Sequence, residues 1–219
     1  MSDSIKHECG VAMLRLLKPL EHYHQKYGTS LYGLNKMYLL MEKQHNRGQD
    51  GVGIANVKLD VEAGKRYISR KRSISSNPIQ DVFKQVNKRF VELEEDDPEK
   101  LKDPQWMKEN LPFTGELFLG HLRYGTFGGN TIEQCHPFLR QNNWKTRNLV
   151  LAGNFNMTNV DELFQQLVDI GQHPKQMADT VTILEKIGHF LDEANDEIYY
   201  KNKDKFSKKE ITEVIENEL

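Results

Sequence analysis

The sequence predicts an α+β protein in which short strands and amphipathic helices occur in separate runs. Two observations carry this. Apolar residues alternate along 52–61, and a helical spacing of apolar residues runs through 30–45 and again through 159–192. The chain's 219 residues suffice for one sizeable domain without disulfides or a structural metal.

The elements follow in order. Cys9 opens an apolar strand through Val11, Met13 and Leu14. A cysteine there is usually a small apolar residue, and only the rest of the chain can give it another role. Leu31, Leu34, Met37, Tyr38 and Met41 mark a helix over 30–45, with Thr29 or Ser30 placed to cap its first amides. After the glycines of "RGQDGVG", Val52, Ile54, Val57, Leu59 and Val61 predict a strand, and Glu62-Ala63-Gly64 a turn into a hairpin with "KRYISRKRSI". Residues 92–112, "ELEEDDPEKLKDPQWMKENLP", hold two prolines and a dense charge run. They are expected to form part of a charged surface insertion, 88–113, outside the core. "GELFLGHLRYGTFGG" resumes the core as a strand ending in glycines, and "NLVLAGNFN" is a further short strand running into a polar turn. Asn159 caps a helix with Glu162 three residues on and an apolar face of Leu163, Phe164, Leu167 and Val168, stopped by Gly171. A second helix begins near Asp179 with Val181, Leu184, Ile187 and Leu191 on one side, and "KKEITEVIENEL" can form one more.

Composition excludes several classes. The net charge is −2, without a basic stripe interleaved with aromatics, which argues against nucleic acid as a partner. The sequence has no run approaching the roughly 18 apolar residues of a membrane span, and "MSDSIKHE" is no signal peptide. A cytoplasmic protein is expected, with Cys9 and Cys135 as thiols. A zinc-site reading of the eight histidines finds no C-x-x-C or H-E-x-x-H pair to support it. Cys135-His136 suggests a nucleophile pair, but neighbours on a strand point to opposite faces, so the two are read as structural or substrate-adjacent.

Chemistry-bearing residues gather in Cys9-Gly10-Val11, "QHNRGQDGVGIA" at 44–55, "GHLRYGTFG" at 120–128, "NFNMTN" at 154–159 and "ADTV" at 178–181. In this order the five motifs resemble the class II glutamine amidotransferases, whose glutaminase domain belongs to the N-terminal-nucleophile hydrolases. Gln49 and Gly51 after Arg47-Gly48 are similar to the amidophosphoribosyltransferase branch of that family. The resemblance implies a four-layer αββα sandwich over 9–195, a propeptide over 1–8 and a charged tail over 196–219. It covers 9–192 and lacks the family's later strands, so a truncated sandwich and self-association of the chain are expected.

The resemblance implies that Cys9 is the nucleophile, that Asn154 with the Phe155 N–H forms the oxyanion hole, and that Arg47 orders the loop around the nucleophile. It further implies that Arg123 and Asp179 hold the α-carboxylate and α-amine of L-glutamine, with Tyr124, Thr126 and Asp50 in the substrate site. Phe155 stands where the family has glycine. The chemistry asks for the same types. A cysteine thiol with a pKa of about 8.5 needs a base, and a free α-amine near 7.7 to 8.0 can serve as one. Two fixed N–H donors suit an oxyanion, and an Arg–Asp pair suits a zwitterion. No metal or cofactor is implied in this chain. Magnesium, and optionally an iron–sulfur cluster, belong to a full-length parent, as does a phosphoribosyltransferase domain or acceptor subunit. The alternative is a non-catalytic fragment that binds glutamine or a partner.

Overall fold

The computed structural model describes residues 8–125 and 131–219, the side chains of Lys208 and Lys209 excepted. The chain divides into two units, Met1–Pro137 with Ala152–Asn154, and Phe138–Leu151 with Phe155–Leu219. The architecture is mixed, with antiparallel sheets and helices, as an α+β reading requires.

In the first unit, β1 (Gly10–Arg15), β2 (Gly51–Val57), β3 (Ile68–Ser73) and β4 (Leu117–Arg123) form one antiparallel sheet in the order β1-β4-β2-β3. The hairpin of β2 and β3 is the one the turn at 62–64 predicts. The insertion of β4 between β1 and β2 is non-local and invisible to periodicity.

Because side chains alternate across a strand, the cross-strand pairs sort into two faces. Ala12, Val52, Ile54, Phe118 and Leu122 are buried on one face. The short α1 (Leu20–Tyr27) follows β1, and that face packs on α2 (Tyr32–Glu42) and α3 (Pro78–Asp96) through Leu34, Met37, Met41, Val82, Phe83, Val86 and Phe90. Gly120 in β4 leaves room for the Met37 and Met41 side chains, which a Cβ would strike. The opposite face runs in the row Val11, His121, Gly53 and Arg72, followed by Met13, Leu119, Ala55 and Arg70.

Two features differ from the sequence reading. The helix expected over 30–45 spans Tyr32–Glu42, with the Thr29 hydroxyl accepting the Leu31 N–H at 3.0 Å. The charged stretch 92–112 is not excluded from the core. Leu93 ends the buried stripe of α3, and Met107 and Leu111 are buried in the same cluster through α4 (Pro104–Asn110). Pro104 begins that helix, where a missing N–H is harmless, and Asp103 caps it by accepting the Trp106 N–H at 2.9 Å.

In the second unit, β5 (Phe138–Arg140) pairs with β6 (Leu149–Leu151), and α5 (Val160–Asp169), α6 (Asp179–Asn202) and α7 (Lys208–Glu218) follow. Arg140 bonds Glu185 and Asp192 of α6, and Gly188 leaves space for its side chain. The Asp192 carboxylate raises the Arg140 pKa further. The α7 helix carries a full capping box between Ser207 and Glu210. Leu167, Val181 and Leu184 are buried as expected, whereas Val168 and Ile187 of the predicted apolar faces are exposed.

Candidate active site

Three strand ends meet at one edge of the four-stranded sheet. Since β4 pairs antiparallel with both neighbours, its C-terminal end lies beside the beginnings of β1 and β2. Gly10 faces Leu122 and Gly51 faces Arg123, so Cys9, one step before β1, continues the row that holds Arg123.

The Cys9 thiol is half-buried and seated on the backbone of Tyr124. Its sulfur accepts the Tyr124 N–H at 3.4 Å and lies 4.0 Å from the Tyr124 carbonyl. Among the described residues no imidazole is hydrogen-bonded to this sulfur, so any base must come from elsewhere. Arg123 is buried, and its Nη2 donates to Gln134 Oε1 at 3.0 Å. Asp50 fixes the next turn, since its N–H donates to the Arg123 carbonyl at 3.1 Å and its Oδ2 accepts the Gly125 N–H at 2.7 Å.

The "RGQD" loop is held on this edge by glycines. A Cβ on Gly48 would lie 2.6 Å from the Arg123 carbonyl, so only glycine allows the loop to pass over the end of β4. A Cβ on Gly10 would lie 3.0 Å from Gln44 Oε1 and 3.4 Å from the Arg47 Cβ. Arg47 itself is exposed, with its N–H bonded to the Gln44 carbonyl at 2.8 Å. Its proximity to the Cys9 segment is therefore through its Cβ beside Gly10 and through the loop backbone.

Cys9, Asp50, Arg123 and Tyr124 thus come together at one sheet end. Thr126 lies outside the described residues. Asn154 belongs to the first unit and is exposed, and no hydrogen bond joins it to Cys9 among the described residues. Phe155 and Asp179 belong to the second unit. There Asp179 opens α6, and its Oδ2 accepts the Met157 N–H at 2.9 Å.

Sequence reasoning gives no site role to His121 and reads His136 only as structural or substrate-adjacent. His121 and His136 are buried with ring centroids 4.3 Å apart, and both bond Gly153, the residue before Asn154. His121 Nε2 reaches the Gly153 carbonyl at 3.2 Å, and the Gly153 N–H reaches His136 Nδ1 at 3.3 Å. Burial, with the neighbouring ring and Arg123, lowers His121 to about 3. Burial, with Arg123 and Arg72, lowers His136 to about 4. A signal existed, because His121 stands two residues before Arg123 and so shares its face of the strand. Cys135 and His136 are not on a strand, so the opposite-face argument for that pair does not apply. Cys135 follows a short 3-10 turn and is fully buried, and burial pushes its thiol up to about 11.

No family model matches the chain. Its similarity to curated proteins is consistent in kind. It is 36% identical over 150 residues to an amidophosphoribosyltransferase of Lacticaseibacillus casei, a match covering 68% of this chain and 61% of that protein. It is 29% identical over 161 residues to that of Methanocaldococcus jannaschii, covering 74% of this chain and 27% of the relative. With that of Archaeoglobus fulgidus it shares 27% identity over 159 residues, covering 73% of this chain and 27% of the relative. The chain is related to amidophosphoribosyltransferases, and its matches span between about a quarter and three fifths of their length. No described helix is long and apolar enough to cross a membrane.

Proposed function

We propose that the first unit is the glutaminase part of a class II glutamine amidotransferase, with Cys9 as its nucleophile. The observation that carries this is the seat of the Cys9 thiol on the Tyr124 amide, one strand away from a buried arginine. The relation to amidophosphoribosyltransferases supports the same reading. The αββα sandwich belongs to this proposal, and a sheet with α2 and α3 packed on one face is compatible with it.

On this reading residues 1–8 are removed and the freed α-amine of Cys9 takes the thiol proton. The sulfur attacks the side-chain amide carbon of glutamine, and the oxyanion that forms is met by Asn154. The tetrahedral intermediate collapses to a thioester as the ammonium proton shuttle releases ammonia. Water then attacks the thioester, giving glutamate and restoring the thiol. Arg123 binds the substrate carboxylate through a guanidinium already oriented by Gln134. The ammonia is passed to a phosphoribosyl acceptor on a transferase domain or subunit, as the name of the relatives suggests.

The test is glutamate release from L-glutamine together with intact mass. The wild-type chain is expected to lose residues 1–8 and to release glutamate, and Cys9→Ala to retain those residues and release none. Glutamate release at an equal rate by both would refute Cys9 as the nucleophile.

A further inference from the structure

The strongest unassigned feature lies on the sheet face opposite the helices. We infer that His121 and His136 act as a neutral imidazole clamp on the Gly153 backbone, setting Asn154 for the oxyanion as positioning residues of the glutaminase reaction. The inference rests on the reading of Cys9 and Asn154 given above.

The geometry fixes the hydrogens. The Gly153 N–H donates, so His136 Nδ1 must be bare; the Gly153 carbonyl accepts, so His121 Nε2 must carry a hydrogen. His136 is then neutral, and Gly153 is held on both sides of its Cα, by the N–H of the peptide before it and the carbonyl of the peptide after it. His121 Nδ1 is buried without a partner. Protonation there would bury an unpaired cation, and protonation of His136 Nδ1 would remove the acceptor that holds Gly153. The charged groups around the rings are Arg123 on β4 and Arg72 on β3, and both oppose a further positive charge.

The segment carrying His136 is strapped down by three arginines. Arg72 donates to the Cys135 carbonyl at 2.8 Å, Arg70 to the Pro137 carbonyl at 3.2 Å, and Arg123 to Gln134. Gly53, between His121 and Arg72 in the same row, admits the His136 carbonyl, with which any Cβ would collide. An apolar pair would hold these segments together at lower desolvation cost. Two rings matched to the two peptide groups that flank Gly153 instead dictate their orientation, and with it the direction in which Asn154 leaves the turn.

The experiment compares His121→Phe and His136→Leu, which abolish the bonds, with His136→Asn, whose side-chain oxygen can replace Nδ1 as acceptor. In the full chain the apolar variants should lose about 10²-fold in kcat, on the scale of a lost oxyanion donor, with KM for glutamine within about twofold. Alkylation of Cys9 by iodoacetamide should keep its wild-type rate, and His136→Asn should recover to within about tenfold of wild type. Apolar variants as active as wild type, a loss confined to KM, or His136→Asn as impaired as His136→Leu would each overturn the clamp. A wild-type chain that releases no glutamate refutes the glutaminase reading itself, and the clamp's catalytic role with it. Nitrogen-15 NMR of labelled histidine in the wild type needs no variant. It should show hydrogen on Nε2 of both rings at neutral pH, and hydrogen on His136 Nδ1 would overturn the proposal.

Discussion

Two imidazoles buried in the neutral state make the first unit acid-sensitive in a window where carboxylates contribute little. The folded values, about 3 for His121 and about 4 for His136, lie below the ordinary histidine value near 6.5. A depressed value means that stability is fully present above pH 6.5 and is lost as pH falls, because the unfolded chain takes up protons that the folded chain refuses. The loss ends only when pH drops through the folded values. Between pH 7.5 and 5.5 both folded rings stay unprotonated, so the loss follows from the unfolded value alone. It amounts to about 1.4 kcal/mol per ring, or about 2.7 kcal/mol for the pair. The assay is urea unfolding of a Trp144→Phe chain, in which Trp106 alone reports and reports on the first unit. Wild type minus a His121→Phe, His136→Leu double variant isolates the pair, since other titrating groups cancel. Parallel loss of stability in the two proteins would refute the claim that these rings are held neutral.

Two further outcomes test the surroundings of the site. Gly53→Ala places a methyl against the His136 carbonyl, so it should cost about 1–3 kcal/mol in thermal or urea unfolding and loosen the 134–137 strap; unchanged stability would refute the close approach. Lys108, partly exposed, pairs with the buried Glu116 at 2.6 Å, and Glu116 also accepts the Leu59 N–H at 2.9 Å. Lys108→Ala should therefore destabilise by about 3–5 kcal/mol, more than Lys108→Met together with Glu116→Gln, and equal costs would show that the charge is not left unpaired.

The parts of the fold that sequence revealed are those where one side of an element faces water. The β2–β3 hairpin announced itself by alternation around a glycine turn, and α2 by its 3.6-residue spacing. The segment 92–112 was misread because charge covers its outer face and its prolines resembled breakers. Leu93, Met107 and Leu111 still point inward, and Pro104 starts a helix that Asp103 caps. Val168 and Ile187 show the reverse error, since helical spacing marks an apolar stripe without saying what covers it. The central place of β4 is illegible for a different reason: pairing between residues 60 to 112 positions apart leaves no local trace. In "RGQDGVG", Gly48 and Gly53 are required because another backbone passes against each, a contact that the sequence itself does not display.

The central position of β4 also bears on how the proposed site would work as a unit. Arg123, at its end, is the proposed carboxylate anchor, and its guanidinium holds Gln134 at the start of the strap that carries His136. His121, two residues earlier on the same face, grips the Gly153 carbonyl, in the peptide that leads into Asn154. On the proposed reading, substrate recognition and placement of the oxyanion donor therefore hang from a single strand. An arginine that also anchors the strap cannot shift toward a wrongly sized substrate without drawing Gln134 along and disturbing the clamp. Misplacement by about 1 Å can cost about 100-fold in rate, so a ligand that binds Arg123 poorly would lose turnover as well as affinity. The strap is held by arginines that donate to two backbone carbonyls and to the Gln134 side-chain oxygen. Three directional bonds fix its path, and the Gly153 backbone inherits that fixity.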